Sequence, residues 1–260
     1  MRVDGKRVVA AFLREKNCRR EDCVLELVKA LNNSGAYEEA LEVLAHTRFT
    51  PCEGGEHAVA DQYIFAHFGI GAQRLREKRY PEAARAFEAA VTLPDSLGAG
   101  LWNECKKVPA LYFAAQAYRD SGEEEKAQAY FEHIASMQRD YFTDMYLPEL
   151  PCYQALAARA LGHPGTAAHL ISAHIRRTEQ VRQQGSAGWF GTTPFFISYM
   201  EDPEKERACY VAWQLAMAAY AADDPDMMQE QLIPVLRLDP TRQYARLMAD
   251  HLRRQQDEEY

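Results

Sequence analysis

The sequence predicts an all-α protein: a right-handed superhelix (α-solenoid) of about five helix pairs, closed by a C-terminal capping helix. Three observations predict it. One pattern returns four times at fixed spacing, as Gly35, Tyr37, Ala40, Leu44; Lys78, Tyr80, Ala83, Phe87; Gly122, Glu124, Ala127, Phe131; and Gly162, Pro164, Ala167, Ile171. Apolar residues recur at helical spacing along most of the chain, and no segment alternates like a half-buried strand. Pro51, Pro94 and Pro240 stand where one unit ends and the next begins, which suits a residue that stops helices.

The recurring pattern resembles the second-helix half of a tetratricopeptide repeat, a helix-turn-helix unit of ~34 residues. Its units are expected at about 20–51, 57–94, 108–137, 144–177 and 204–240, with the capping helix at 241–256. In the first, Val24, Leu25, Leu27, Val28 and Leu31 form the apolar face of a helix, Asn33 to Gly35 its turn, and the second helix runs to about Thr47. In the second, Ala58 to Arg76 is one helix, Gly71 and Ala72 are small where two helices approach, and Pro81 sits in a first helical turn, where its missing N–H costs little. The third unit follows a glycine-rich excursion over residues 95–100, and residues 140–151 lead into the fourth. The fifth is degenerate: Asp223, Asp224 and Pro225 replace the glycine turn, and Met228 replaces the alanine. The capping helix places Ala245, Leu247, Met248 and Leu252 on one face and polar residues outside, as a terminal element needs.

Each pair buries its apolar face only by stacking on the next, so Ala40, Ala83, Ala127 and Ala167 are small for close approach, while Leu44, Phe87, Phe131 and Ile171 fill the space between units. The same alignment puts Phe65, Phe68, Tyr112, Tyr153, Tyr210, Trp213 and Tyr220 at or near groove positions, where they either line a groove for a peptide or sugar or pack on neighbouring helices. Lys29, Asn32 and Asn33 have no counterparts in the next unit, which disfavours capture of a C-terminal carboxylate.

Composition narrows the function classes. A hydrophobic content of 47% over 260 residues allows a sizeable core and opposes wholesale disorder. A formal net charge of -8 argues against nonspecific nucleic-acid binding and against a basic membrane-surface patch. No apolar run reaches the ~18 residues of a membrane span, and no signal-like segment follows the charged N-terminus. Cys18, Cys23, Cys52, Cys105, Cys152 and Cys209 complete no zinc pattern and read as idle thiols of a reducing cytoplasm. No nucleophile–base pair, phosphate-binding glycine loop or metal-ligand helix is evident, and His169 and His174 are poorly spaced for one metal. The expectation is therefore a non-enzyme with no cofactor and no metal.

Three segments exceed what repeats need. In the first, Glu53 and Glu56 flank Gly54 and Gly55, and His57 follows. Paired carboxylates bind a cation or sugar hydroxyls or move a proton, whereas Glu56 alone suits the start of the next helix. Tyr63 and His67, four apart, share the helix face near that loop. The others carry Trp102 and Asn103, and Trp189 and Phe190, each among glycines, and either border a site or plug the side of the array. With Tyr112, these ten residues are the candidate ligand-binding set.

The run from Arg48 through Pro51, Glu53 and Glu56 to Tyr63, His67 and Gly71, then Pro94, Leu97 and Gly98, then Phe190 to Thr193 and Met200 to Arg207, resembles the C-terminal helical-repeat region of a large bacterial family. Those proteins join such an array to a sugar-mutarotase-like β-sandwich domain of unknown function. The chain departs from that pattern at Ala99, where an acid is usual, and at His57, where glycine is usual; the β-sandwich itself is absent. The resemblance implies a carbohydrate-linked setting. Two functions follow: a non-enzymatic scaffold holding a protein partner or the missing β-sandwich domain, and alternatively a carbohydrate-binding accessory module using the Glu53–Glu56 loop and neighbouring aromatics.

Overall fold

A computed structural model describes residues 20–51, 57–98, 104–184 and 202–258, and no strand occurs among them. They form twelve α-helices: α1 (Glu21–Asn33), α2 (Tyr37–Ala45), α3 (Ala58–Arg76), α4 (Tyr80–Ala90), α5 (Val108–Asp120), α6 (Glu124–Ser136), α7 (Tyr141–Tyr146), α8 (Leu150–Ala160), α9 (Pro164–Gln183), α10 (Pro203–Ala222), α11 (Pro225–Leu238) and α12 (Gln243–Glu258). Short 3-10 turns lie at Asp95–Leu97 and Glu104–Lys107. The chain divides into two compact bodies, Met1–Tyr130 and Phe131–Tyr260, with the division inside α6.

Five helix pairs share one turn. Its central residue is left-handed at Gly35, Lys78, Gly122, Gly162 and Asp223, with φ of 78°, 58°, 83°, 82° and 62°. The next residue donates its N–H five back: Ala36 to Leu31, Arg79 to Arg74, Glu123 to Tyr118, His163 to Ala158 and Asp224 to Ala219, all at 2.8–3.0 Å. The left-handed residue donates to the carbonyl three before it in each case. This is the Schellman arrangement, which satisfies the last carbonyls of the first helix. The residue after the turn then accepts from Ala40, Ala83, Ala127, Ala167 or Met228, opening the second helix. Glycine adopts this conformation freely, but Lys78 and Asp223 do so against the side-chain clash that disfavours positive φ.

Burial keeps the same register. Seven residues before each left-handed residue stand Val28, Gly71, Ala115, Ala155 and Ala216; five after it stand the alanines and Met228; nine after it stand Leu44, Phe87, Phe131, Ile171 and Leu232. All fifteen are buried. Within the first body α1 packs on α2 and α3, and α3 on α4 and α5; within the second α8 packs on α9 and α10, α10 on α11, and α11 on α12. The first helices α1, α3 and α8 thus meet both their pair partner and the first helix of the next pair.

In the first body the close approaches depend on glycine. A Cβ on Gly71 would lie 2.6 Å from the Phe87 ring, and one on Gly69 would clash with the ring of Tyr37. Phe68 meets Phe87 and Phe113 edge-on, with centroids 5.3 and 5.2 Å apart. Asn32 on α1 donates to the carbonyl and side-chain oxygen of Gln62 on α3, both at 3.0 Å, inside the core. Glu88 accepts from the hydroxyls of Tyr118 (2.5 Å) and Tyr130 (3.0 Å), and burial with the Glu88 charge pushes Tyr130 up to about 12. The connections are tied together as well. Phe49 donates its N–H to the Ser96 carbonyl at 2.9 Å, and Gly98, at φ 82°, lies so close to the Phe49 carbonyl that a side chain has no room.

The second body contains α7, a helix outside the paired pattern and not foreseen from sequence. Its start is a capping box: Thr143 N–H donates to the Asp140 carboxylate at 2.7 Å, and Asp140 N–H donates to Thr143 Oγ1 at 2.6 Å. Helix α9 runs to Gln183, beyond the expected end of its unit at 177.

Of the two readings of the aromatic set, packing on neighbouring helices is the one that holds for most of it. Phe65, Phe68, Tyr112, Tyr153 and Trp213 are buried, and only Tyr210 and Tyr220 are half-exposed. Their rings fill the contacts between helices, where their apolar area is worth most.

Candidate functional site

Of the ten residues expected to bind a ligand, Glu53, Glu56, Trp102, Asn103, Trp189 and Phe190 lie outside the described residues. His57 immediately precedes α3 and is half-buried. Tyr63 and His67, one turn apart on α3, meet edge to face with centroids 4.6 Å apart. Burial lowers His67 to about 4 and raises Tyr63, so the imidazole is neutral near pH 7. Beside them in sequence, Asp61 holds Lys106 through both carboxylate oxygens, at 2.7 and 2.8 Å. Tyr112 does not join this group: its ring meets Phe113 edge-on and its hydroxyl meets Gln116.

A second cluster, in the body beginning at Phe131, was not anticipated. Glu149 directly precedes α8, yet its carboxylate makes no cap to that helix. It turns instead to α10, accepting from Trp213 Nε1 at 2.9 Å and Gln214 Nε2 at 3.2 Å. Trp213 is otherwise covered by the Arg242 guanidinium, 4.9 Å from its ring. Gln214 is 0% exposed, and its Oε1 has no hydrogen-bond donor. His174 on α9 is 4% exposed, and its ring lies against Gln214.

Burial is the main cause that lowers His174 to about 4, and the nearby charges of Arg139 and Arg177 add to it. Both arginines pair with Asp144 on α7, Arg177 at 2.8 Å. Tyr210 is raised, first by burial and then by the Glu149 charge. Cys152 and Tyr153 are held protonated for the same two reasons. A thiol so held is a poor nucleophile, and the cluster is suited to hydrogen bonding rather than to covalent chemistry.

A signal for this cluster exists in the sequence. Twelve residues after the left-handed turn residue, the other pairs carry Thr47, Ala90, Ile134 and Val235, whereas the fourth carries His174. The departure shows only once the register is applied to the position after the large apolar one.

Among the described residues no group of three or more His, Cys, Asp or Glu is placed to hold a metal ion, and no helix is long and apolar enough to cross a membrane. Cys152 and Cys209 are free thiols. No protein-family model matches the chain.

Proposed function

We propose that the chain is a non-enzymatic interaction module of tetratricopeptide type, whose partner is a protein or the β-sandwich domain that its family resemblance implies. The tetratricopeptide assignment is supported by the five turns and fifteen buried positions of one register. The observation that carries the interaction reading is the outer face of α7. Tyr141, Phe142 and Met145 are 70%, 44% and 46% exposed within six residues. Phe142 stacks on Tyr146 with centroids 6.4 Å apart, and Tyr141 meets Phe142 edge-on. Water-facing rings gathered this densely mark interaction surfaces rather than scattered surface apolar residues.

The test is cross-linking of the chain in its native lysate, repeated with Tyr141→Ser/Phe142→Ser. A specific cross-linked protein lost in the double variant, at unchanged melting temperature, supports the reading; one retained equally in the variant removes α7 from it. The carbohydrate reading of the Glu53–Glu56 loop has weaker support, because the described members of that set, His57, Tyr63, His67 and Tyr112, are wholly or partly buried by packing.

A further inference from the structure

Helices α4, α5 and α6 meet at two tyrosines that share one carboxylate. Glu88 on α4 accepts through a single oxygen, Oε1, from the Tyr118 hydroxyl at 2.5 Å and from the Tyr130 hydroxyl at 3.0 Å. The two rings lie nearly parallel, with 10° between their planes and 5.9 Å between centroids. The helix-pair register does not call for this arrangement. Four residues before the left-handed turn residue, where the third pair has Tyr118, the other pairs carry Leu31, Arg74, Ala158 and Ala219. Eight residues after it, where the third pair has Tyr130, they carry Val43, Ala86, Leu170 and Gln231.

A phenol hydrogen-bonded to a carboxylate is arranged to lose an electron. The oxidised ring must shed its proton, and a carboxylate already in place takes that proton as the electron leaves. Burial and the Glu88 charge hold both phenols protonated, so each has a proton to give. The Lys126 ammonium, paired with Glu123, lies 4.7 Å from the centre of the Tyr118 ring and opposes positive charge there. Tyr130 is half-exposed, whereas Tyr118 is 6% exposed, so the first electron leaves Tyr130. Because both hydroxyls end on one oxygen, the ring edges that bear them converge. The carbons ortho to the hydroxyls lie on those edges, and phenoxyl radicals couple there.

We infer that Tyr118 and Tyr130 are an oxidative cross-linking site, joined into a dityrosine by one-electron oxidants of the peroxide-derived radical class, with Glu88 as the proton acceptor. Two equivalents of oxidant balance the step, each reduced by one electron. The proton of Tyr130 passes to Glu88 and on to water, and that of Tyr118 follows by the same route. The two phenoxyl radicals form one carbon–carbon bond between ortho positions. Each bonded carbon then loses its hydrogen while the phenolic oxygen regains one, so both hydroxyls are restored and the product is two hydrogens lighter. The bond ties α5 to α6 and, unlike a disulfide, is not undone by thiols. The site does not depend on the interaction reading of α7.

The full chain, kept dilute, is illuminated with tris(bipyridine)ruthenium(II) and persulfate, which removes electrons from phenols one at a time. Dityrosine fluorescence is read on the monomer band of a denaturing gel, and peptide mass spectrometry locates the joined residues. The expected product is a peptide pair linked through Tyr118 and Tyr130, absent from Tyr130→Phe. Glu88→Gln keeps an acceptor for both hydroxyls but removes the base, so the yield of that pair should fall at least ~10-fold, a modest share of what a positioned base contributes. Linkage spread over other tyrosines with no Tyr118–Tyr130 peptide would overturn the proposal, and so would an undiminished yield in Glu88→Gln. If Glu88→Gln loses its helical circular dichroism, the peptide map of the unaltered chain against Tyr130→Phe decides alone.

Discussion

The ring of Phe87 lies against the backbone of Gly71, at a distance where a Cβ on the glycine would sit 2.6 Å from the ring. Phe87 is 0% exposed and also stacks on Phe113, 5.8 Å between centroids, so it has no free side to retreat to. Gly71→Ala therefore forces a shift of α4 against α3. The expected loss is ~1–3 kcal/mol, the usual range for overpacking, read as a lower urea midpoint. An unchanged midpoint would mean that the two helices are not this close.

Overpacking at the second-helix alanine tests the same register elsewhere. Ala127 is 1% exposed and donates the helix-opening bond to the Glu123 carbonyl. Ala127→Leu should lower the melting temperature, at a cost of ~1–3 kcal/mol.

The turns predict opposite signs for two substitutions at equivalent positions. Lys78 has φ 58° and Gly122 has φ 83°, in turns with identical hydrogen bonds. Gly122→Ala puts a side chain into the left-handed region and should destabilise by ~1–2 kcal/mol, although nothing lies within 4 Å to clash. Lys78→Gly relieves that conformational strain, partly offset by the greater freedom of glycine in the unfolded chain, and should stabilise by up to ~1 kcal/mol. Chemical denaturation of the two variants checks both signs. Destabilisation by Lys78→Gly would mean that the lysine side chain contributes more than the strain it bears.

Acid should weaken the fold through its buried histidines. Burial lowers His174 from 6.5 to about 4, so the folded state favours the neutral ring. The stabilisation is full above about 6.5, where both folded and unfolded rings are neutral, and is lost as pH falls from there toward 4, because the unfolded chain takes up the proton first. The slope is at most ~1.4 kcal/mol per pH unit for this group. Urea unfolding at pH 7, 5.5 and 4.5 should show a shallower fall in His174→Val than in the unaltered chain. Equal slopes would mean that His174 titrates normally. His67, lowered to about 4 by burial, contributes in the same direction.

The all-helical class was legible because helix periodicity is carried by many residues at once, and α3 could be delimited from sequence at Ala58 and Arg76. The short α7 was missed although its Asp140-x-x-Thr143 cap is visible, since six residues are too few for periodicity to register and the flanking Pro148 and Pro151 suggested a connection. Whether the aligned rings line a groove or pack on helices was not legible, because alignment gives a residue's place along a helix but not what covers it: Trp213 is 3% exposed beneath Arg242. The polar cluster escaped because its members come from three separated stretches around Glu149, His174 and Trp213, and only the packing of α8, α9 and α10 joins them.

The single register of the five helix pairs is tested most directly by amide hydrogen exchange at the residue after each left-handed turn position. Ala36, Arg79, Glu123, His163 and Asp224 each donate across their turn at 2.8–3.0 Å. All five are expected to be protected well above random-coil rates, including those beside Lys78 and Asp223, where no glycine marks the turn. Exchange at random-coil rates at Arg79 and Asp224, with protection at the glycine turns only, would contradict a common turn and with it the repeat register.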